Sequence, residues 1–302
     1  MFDLLFLGTG ASIPSRDSAL PCVAVRRGSD IILFDCGEGS QRQLMCSRMS
    51  FMKIRGIFIT HLHGDHFFGL PGLLQTMGMS GRTDPLIVCG PAGFSEALKM
   101  SLSVCEGEIE YPLEIRDVNP GDTVQVRDLT VSVFKTEHGI VSQGYVLREP
   151  DTRGPIDGKK AKALGLEGRD FTELENGGTV NGVRLEDICS STIPGRSVAY
   201  TGDTMKCQTI ADAVKGVDIL IHEATYAENE SENAEKHFHS TAASAAQTAK
   251  DAGVKALMLI HISNRYKDRS VILEEAKAVF PDTFVPSDFD FYTMTKNGVR
   301  LA

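Results

Sequence analysis

The chain has 302 residues, a formal net charge of −9 at neutral pH, 42% hydrophobic residues and 24% charged residues. These fractions are ordinary for a globular protein, and the negative charge argues against a surface that is basic all over, although one local basic patch is compatible with it. No apolar run is long enough to span a bilayer, the first ten residues lack the features of a signal peptide, and no two cysteines form a C-x-x-C pair. We therefore expect a cytoplasmic protein that has no membrane partner and no disulfide framework.

Ten short β-rich runs are predicted as strands. In chain order they span residues 3–8, 30–35, 56–60, 85–90, 129–136, 142–147, 196–202, 217–222, 255–261 and 290–296. Helices are predicted from their periodicity at residues 93–104, 205–216, 240–253 and 270–280. Strands that cluster early and again late, with helices between them, indicate an α/β fold in which two α/β layers face each other.

One polar segment interrupts this pattern. Residues 148–182 are rich in glycine and poor in β-branched residues, which predicts a flexible arm inserted into one domain that spans residues 1–302. Between residues 153 and 169 the basic side chains outnumber the acidic ones Asp157 and Glu167. A concentrated basic segment in an acidic chain is typical of a nucleic-acid contact, and a merely solvated loop is the alternative.

Histidines and aspartates stand at the ends of several predicted strands. The stretch FITHLHGDHFFG (58–69) alone holds three histidines and one aspartate, and other members follow the runs VFKTEH, VAYTGD and LMLIH. In α/β sheets this edge is where sites are built, because the strands fix positions and the loops stay open to ligand. The predicted constellation is His61, His63, Asp65, His66, His138, Asp203 and His261.

These side chains predict two bound metal ions. Neutral imidazole and carboxylate are the ligands that zinc prefers, with manganese or iron less favoured. In H-x-H both rings can reach one ion, and the following D-H can reach a second. Seven side chains, one of them a bridging carboxylate, fill two sites, and such a pair clamps the attacking and leaving oxygens of a displacement. A lone histidine at a strand end is usually structural, but H-x-H-x-D-H with further ligands at strand ends is a much sharper pattern than one histidine.

Further motifs give the sequence a family resemblance. The order of THLHGDH, His138, YTGD and LIH resembles the metallo-β-lactamase fold of hydrolases. Six further motifs together resemble the ribonuclease Z family of tRNA 3′-processing endonucleases. They are FLGTGASIPS, DCGEGSQRQL (35–44), GLPGLL (69–74), HEATY (222–226), HSTAASAA (239–246) and SNRY (263–266). The resemblance implies a four-layer αβ/βα sandwich with two zinc ions per chain. It also implies cleavage of the 3′ trailer from precursor tRNA, which leaves a 3′-hydroxyl on the tRNA.

The resemblance also implies roles for single residues. One zinc ion is assigned to His61, His63, His138 and Asp203. The other ion is assigned to Asp65, His66, His261 and the bridging Asp203. Asp65 is implied as the general base, and His239, steered by Glu223, as the group that protonates the leaving oxygen.

Three residues outside the metal ligands are candidate phosphate contacts. Ser240 and Thr241 open an alanine-rich helix, whose N-terminus suits an anion; a plain helix cap is the alternative. Arg265 follows His261 and is either a phosphate contact or half of a structural ion pair. The stretch LGTGASIP (7–14) lacks the third glycine of a dinucleotide fingerprint, so we interpret it as a tight turn beside the site.

The resemblance extends to partners. Residues 148–182 match the family's exosite for tRNA, with contacts predicted at Gly154, Pro155, Lys159, Lys160 and Lys162. Where many members have a second Gly-Pro, this chain has LEGRDF (166–171). The apolar, methionine-rich stretch 67–79 predicts a homodimer, and the resembled family is often dimeric.

Two other functions compete with this interpretation. One is a hydrolase of the same fold that acts on a small ester or phosphodiester, such as an arylsulfatase, a cyclic-nucleotide phosphodiesterase or a thioesterase. A small substrate needs no basic arm, so the arm distinguishes it. The other is a module that grips RNA without cutting it, and the complete ligand set argues against that.

Overall fold

The computed structural model describes residues 2–104, 109–295 and 298–301. Two compact units are present: a main unit of Met1–Leu147 with Ser197–Ala302, and a second unit of Arg148–Arg196. The predicted strand 290–296 reaches Lys296, which lies outside the described residues. No helix in the described ranges is both long enough and apolar enough to cross a membrane.

The first sheet of the main unit contains eight of the described strands. Their order is β17 (Gly298–Leu301), β16 (Phe291–Thr295), β1 (Phe2–Gly8), β2 (Cys22–Arg27), β3 (Asp30–Phe34), β4 (Ile54–Phe58), β5 (Leu86–Gly90) and β6 (Leu113–Asp117). From β3 to β6 the strands run parallel, in registers such as Phe34 opposite Phe58. Their carboxyl ends therefore meet at one edge of the sheet.

The second sheet contains seven described strands. Their order is β15 (Thr283–Phe284), β14 (Ala256–Ile260), β13 (Ile219–Glu223), β12 (Ser197–Tyr200), β9 (Gln143–Arg148), β8 (Leu129–Lys135) and β7 (Thr123–Val126). The four strands β12 to β15 are parallel, which again places several carboxyl ends along one edge.

Helices cover the outer face of each sheet. On the first sheet lie α1 (Ser40–Cys46), α3 (Leu70–Met79) and α4 (Phe94–Ser103), with the short α2 (Gly64–Phe67) beside the sheet edge. On the second lie α7 (Gln208–Ala213), α9 (Ala242–Ala252) and α10 (Ser270–Val279), and α8 (Ser231–Lys236) precedes α9. One buried cluster joins Phe34, Phe58, Tyr145 and Tyr200 between the sheets. The layers are thus α, β, β and α, and the predicted sandwich is confirmed.

Helix α9 shows how the sequence builds these layers. Thr241 is its N-cap and accepts a hydrogen bond from the Ser244 amide at 3.1 Å, while Gly253 ends the helix at φ 62°. Glycine adopts that left-handed conformation without the clash that a Cβ causes. The side chains that face the sheet are small, as at Ala245 and Ala249, and both are buried. The helix can therefore pack close to the strands that carry the site.

The second unit is more regular than its composition indicated. It contains the strand pair β10 (Thr152–Arg153) and β11 (Thr192–Ile193) and the helices α5 (Gly158–Ala163) and α6 (Gly168–Glu175). A small core of its own consists of Ala161, Leu166, Leu174 and Ile188. The unit continues past Gly182 to Arg196. Residues 148–196 include eight basic and nine acidic residues. Its basic character is therefore limited to the neighbourhood of α5.

Several elements of the main unit were not predicted, and α3 and β2 show two different reasons. Helix α3 contains Pro71, Gly72 and Gly78, which discourage a helical interpretation, yet its buried Leu70, Leu73, Leu74 and Met77 hold it on the sheet. Strand β2 follows Pro21 directly and was hidden in a loop-like context, but it pairs on both sides, with β1 and with β3. Tertiary burial decides both cases.

Candidate metal centre and active site

The loops after four strands bring the predicted ligands together. His61 follows β4, His138 follows β8, Asp203 follows β12 and His261 follows β14. Gly202 (φ 62°) is packed so tightly before Asp203 that a Cβ there would lie 2.6 Å from the Cβ of Thr60. Only glycine fits this close approach, and the tight packing fixes the position of the backbone from which the Asp203 carboxylate reaches the site.

The first cluster consists of three histidines and one carboxylate. The Nδ1 atom of His63 lies 3.1 Å from Nε2 of His61 and 3.2 Å from Nε2 of His138. Oδ2 of Asp203 is 3.7 Å from Nε2 of His61 and 4.0 Å from Nε2 of His138. Four ligand atoms from four separate loop positions therefore face one common point.

The second cluster shares Asp203 with the first. Oδ1 of Asp203 lies 3.3 Å from Nε2 of His66, and its Oδ2 lies 3.4 Å from Nε2 of His261. Oδ2 of Asp65 is 3.6 Å from the His66 nitrogen and 3.4 Å from the His261 nitrogen. The two quartets thus meet at the Asp203 carboxylate, and within each of them the ligand atoms lie no more than 4.8 Å apart.

These distances fit divalent cations better than they fit hydrogen bonds. Ligands at roughly 2.0–2.1 Å from a tetrahedral zinc ion lie about 3.3 Å from one another. The ring nitrogens converge without enough protons to link them all, and the buried Nε2 of His66 and Oδ1 of Asp203 have no hydrogen-bond partner. A buried polar atom without a partner is costly, and a cation at each cluster would satisfy both atoms.

Hydrogen bonds to oxygen hold the other ring nitrogen of four ligand histidines. Nδ1 of His66 donates to Asp35 at 2.7 Å, and Nδ1 of His138 donates to the Phe238 carbonyl at 3.0 Å. Because the Thr60 hydroxyl donates to Asp35, its oxygen accepts from Nδ1 of His61 at 3.0 Å. Nδ1 of His261 donates in the same way to Thr225 at 2.8 Å. Each Nε2 is therefore turned toward the clusters, where it can present a lone pair once it carries no proton, as metal-binding histidines do.

Asp35 is a site residue that sequence reasoning missed. Its buried carboxylate accepts from the Thr60 amide at 2.8 Å and from the Tyr200 hydroxyl at 2.8 Å, besides His66. Asp35 also holds an unfavourable φ of 55°, and such strain persists where the surroundings over-determine it. A signal was available, because Asp35 ends the apolar run DIILFD just as Asp203 ends VAYTGD.

Charge and burial set most of the ligands in the protonation state that metal binding needs. Burial, followed by the nearby His66, lowers the pKa of His61 well below its usual value, so its ring is neutral. Burial opposes ionisation of Asp203, but His261 and His66 outweigh it and hold the pKa of that carboxyl well below its usual range. His66 differs: burial disfavours its charge, yet Asp203 and Asp35 raise its pKa well above the usual value. A cation entering there displaces a proton.

His239 and Glu223 form a hydrogen-bonded pair beside the second cluster. Nδ1 of His239 donates to Oε1 of Glu223 at 2.7 Å. Burial opposes the charge on His239, but the Glu223 carboxylate outweighs it and raises the pKa of His239 to about 9. Glu223 is enclosed and also accepts from the Thr204 and Thr225 amides, so it orients His239 and does not face the solvent. His239 is thus a proton carrier near neutral pH.

Comparison with known proteins agrees with this arrangement. The family model described as the beta-lactamase superfamily domain matches residues 31–262. A ribonuclease Z of Methanosarcina acetivorans is 40% identical over 294 residues, which cover 95% of this chain and 96% of the relative. A ribonuclease Z of Bacillus licheniformis is 39% identical, covering 96% and 97% of the two chains.

The chain belongs to the ribonuclease Z family. The predicted classification as an endoribonuclease of the metallo-β-lactamase fold is confirmed. The crystal structure of human tRNase Z, short form, matches with a TM-score of 0.70 at 28% identity, covering 97% of this chain and 99% of that one. The Bacillus subtilis metallo-β-lactamase fold protein YhfI matches with a TM-score of 0.72 at 16% identity over 97% and 100%, which shows the shared fold.

Three further residues of this ribonuclease Z family member were predicted as phosphate contacts, and they differ in exposure. Ser240 and Thr241 are buried: the Ser240 hydroxyl donates to the Thr204 carbonyl at 2.7 Å, and the Thr241 hydroxyl donates to Glu228 at 2.6 Å. Both side chains are occupied inside the fold, which argues for the helix-cap alternative over direct phosphate contact. Arg265 is partly exposed, pairs with Glu230 at 3.0 Å and stacks over Tyr226.

The candidates in the second unit are exposed or structural. Gly154 approaches the Ser191 carbonyl so closely that a Cβ would lie 2.5 Å from that oxygen, and Ser190 donates to the Pro155 carbonyl at 3.0 Å. The lysines predicted to bind tRNA are all exposed on α5, at positions Lys159, Lys160 and Lys162. Asp157 caps this helix by accepting from two of its amides.

Proposed function

We propose that the protein is a zinc-dependent endoribonuclease that removes the 3′ trailer from precursor tRNA and leaves a 3′-hydroxyl on the tRNA. The observation that carries this proposal is the pair of ligand quartets that share Asp203. Zinc is favoured because both quartets consist of imidazole and carboxylate, and we infer two ions per chain. When bound, two such ions neutralise the phosphate and lower the pKa of water toward neutrality.

Asp65 is proposed as the general base. Its Oδ2 accepts from the Ser12 amide at 3.0 Å and faces His66 and His261, so its position is fixed. Burial raises the pKa of Asp65, but the hydrogen bond with His261 and the charge of His66 outweigh it and keep that pKa low. The carboxylate is therefore ionised and can accept a proton from the attacking water.

His239 is proposed as the general acid, with Glu223 as its positioning residue. In hydrolysis to a 3′-hydroxyl, water adds to phosphorus and the bond from phosphorus to the 3′-oxygen breaks. That oxygen takes a proton as it leaves. Glu223 holds Nδ1 of His239, so the proton on Nε2 is the one that the ring can deliver.

The second unit is proposed to be an inserted arm that serves as an exosite for tRNA. The exposed lysines of α5 can neutralise phosphates of the tRNA away from the scissile bond. Gly154 and Pro155 lie just before that helix, in backbone contact with Ser190 and Ser191. A phosphate contact by Arg265 stays part of the proposal, because its guanidinium is only partly covered by Tyr226 and Glu230.

A homodimer is proposed for the main unit. Phe68 and Met79 belong to the predicted apolar stretch and are strongly exposed, as is Met45 on α1. Exposed methionine and phenylalanine suit an adaptable interface. Sedimentation at micromolar concentration should give a species of twice 32.8 kDa, and a species of 32.8 kDa alone would contradict the proposal.

One assay separates this function from its rivals. The zinc-loaded protein is incubated with an end-labelled precursor tRNA and with a small phosphodiester, and turnover of both is measured. Efficient cleavage of the precursor at one site supports the proposal. Efficient turnover of the small substrate with no cut in the precursor would favour a small-molecule hydrolase of the same fold. Binding of the precursor without any cleavage would favour a decayed binding module.

A further inference from the structure

A cavity of about 400 Å³ lies beside the first cluster, within the main unit. Its walls include the ligand His138 and three exposed apolar side chains, Ile140 (41% exposed), Val141 (64%) and Phe238 (44%). Cavities that hold small ligands measure roughly 300–1,000 Å³, so this one is large enough for a planar ring system. Exposed apolar side chains that together line an open cavity mark a candidate binding site.

Phe238 occupies a backbone position that usually belongs to glycine. Helix α8 ends in the pattern of two bonds in which the Phe238 amide donates to the Glu235 carbonyl at 3.2 Å and the His239 amide donates to the Ala234 carbonyl at 2.8 Å. The residue between these bonds is left-handed, and Phe238 has φ 57°. Glycine is the common choice at this point of a helix end, because a Cβ is strained there. The aromatic ring is therefore kept against the preference of the backbone, and strain of this kind concentrates at functional sites.

Phe238 is connected to two active-site histidines, one through a hydrogen bond and one through the chain. Its carbonyl oxygen accepts the hydrogen bond from Nδ1 of His138, and the next residue in the chain is His239. The rings of His138 and His239 lie 5.1 Å apart between centroids. A group seated on Phe238 is therefore within the reach of one nucleotide from the scissile bond.

We propose that this cavity binds the nucleobase of the nucleotide that carries the leaving 3′-oxygen, with Phe238 as the stacking surface. The inference rests on the proposed function, because His239 delivers its proton to that oxygen. The base attached to the same ribose then lies on the His239 side of the cut, where Phe238 is. Unstacked RNA bases are recognised by stacking on aromatic side chains, and this mode tolerates any of the four bases.

The rim of the cavity supplies groups that favour a nucleotide over a purely apolar ligand. Lys135 and Asn119 both line it and are exposed. An ammonium group can contact the backbone phosphate, and a carboxamide can both donate to and accept from a base edge. Phe238 therefore provides base-independent binding, and Asn119 is the position at which a base preference would be encoded.

The test is a cycle of two changes in single-turnover cleavage. Wild type and Phe238→Ala are compared on precursor tRNA with the intact nucleotide upstream of the cut and with an abasic ribose at that position. The loss of one base–aromatic stack predicts that each change alone lowers kcat/KM roughly tenfold or more. The two together should cost little more than either alone, because they remove the same contact. Phe238→Tyr should retain the wild-type response.

Controls separate this inference from the proposed function. Phe289 is matched to Phe238, since it is also an exposed phenylalanine (42%) with positive φ (68°), and Phe289→Ala should leave both substrates unaffected. Independent, additive losses would overturn the base-stacking assignment. Coupling to an abasic ribose downstream of the cut would overturn the choice of nucleotide. No cleavage of the intact precursor by wild type would refute the proposed function itself.

Phe238→Gly gives a readout that a purely structural role would not produce. Removing the strained Cβ should raise the thermal midpoint or leave it unchanged, while kcat/KM on the intact precursor falls as for Phe238→Ala. Phe289→Gly should show the same thermal effect with no loss of cleavage. A fall in the midpoint together with equal losses on intact and abasic substrates would mean that Phe238 only supports the fold.

Discussion

Oδ2 of the buried Asp35 lies 2.7 Å from Nδ1 of His66, and the same carboxylate accepts the hydroxyl of Thr60, which in turn contacts Nδ1 of His61. One carboxylate therefore orients a histidine in each of the two ligand clusters. Asp35 has no route to the substrate, because its side chain is fully enclosed. Its effect is confined to the aim and basicity of the ligands.

Asp35→Asn should weaken metal binding without removing a ligand. Outer partners of metal-bound histidines typically contribute 10–100-fold in affinity, and loss of the negative charge at Asp35 should cost about that much. Zinc affinity is measured by competition with a chelator, and thermal unfolding checks the fold. Asp84→Asn, at an aspartate that pairs with Arg55 on the surface, is the matched control. Unchanged affinity in folded Asp35→Asn would remove Asp35 from the site.

Asp65→Ala should abolish most cleavage and leave the fold intact. Loss of a general base alone costs roughly 10²–10⁴-fold, and Asp65 is also a proposed ligand, so the decrease should be at the upper end. Single-turnover rates on precursor tRNA give the result, with Asp251→Ala on the exposed face of α9 as the control. Near-normal turnover by a folded Asp65→Ala protein would remove this residue from the mechanism.

His239 should produce an alkaline limit in the pH profile. Glu223 raises the pKa of His239 to about 9, so the ring is protonated at neutral pH and the acid is lost as the pH rises through that value. The single-turnover rate should then fall about tenfold for each further pH unit. Glu223→Gln removes the charge that raises this pKa, so the limit should move to lower pH. An identical alkaline limit in both proteins would show that another group sets it.

Metal content should show whether the two ligand quartets hold separate ions. Two ions per chain are proposed, and His261→Ala removes a ligand from one quartet only. Elemental analysis after dialysis should therefore give close to two ions for wild type and close to one for the variant. His237→Ala is the control, because this histidine is exposed and its Nδ1 bonds to the Asn233 carbonyl, outside both quartets. One tight ion in both proteins would contradict the dinuclear arrangement.

The lysines of α5 should act on binding and spare the chemistry. Replacing Lys159, Lys160 and Lys162 with alanine should weaken binding of precursor tRNA and leave hydrolysis of a small phosphodiester unchanged. Each lost phosphate contact lowers the steepness of the salt dependence by about one unit. A triple change at Lys215, Lys250 and Lys277, exposed lysines of the main unit, controls for the net charge. If α5 is only a solvated segment, both triple variants will bind like wild type with the same salt slope.

The metal centre could be predicted because its signals are local. H-x-H-x-D-H places four candidates within six residues, and His138, Asp203 and His261 each end an apolar strand. Asp35 meets the same criterion, but its role depends on Thr60, which follows the neighbouring strand β4, and on Tyr200, which lies on the facing sheet; both partners are distant in sequence. Thr225 links His261 to Glu223 and was also missed, because its contact with His261 depends on the pairing of β13 with β14.

The second unit was the hardest part to predict. Its helices α5 and α6 are short and polar, and the apolar side chains that hold them are as far apart as Ala161 and Ile188. Such a sparse pattern has no clear period, so composition indicated a loop. The fates of Ser240 and Thr241 were also not readable from the sequence, because a helix start that binds an anion and one that only caps itself use the same residues.

The chemistry of the cut ends decides whether the protein is a tRNA 3′-processing endonuclease. Precursor tRNA is cleaved by the zinc-loaded protein, and the products are mapped to the nucleotide, with the terminal groups identified by mass. We expect one cut at the start of the 3′ trailer, a 3′-hydroxyl on the tRNA and a 5′-phosphate on the trailer, and we expect Asp65→Ala to give none of these products. A 3′-phosphate on the tRNA, cuts scattered along the chain, or the same products from Asp65→Ala would contradict this expectation.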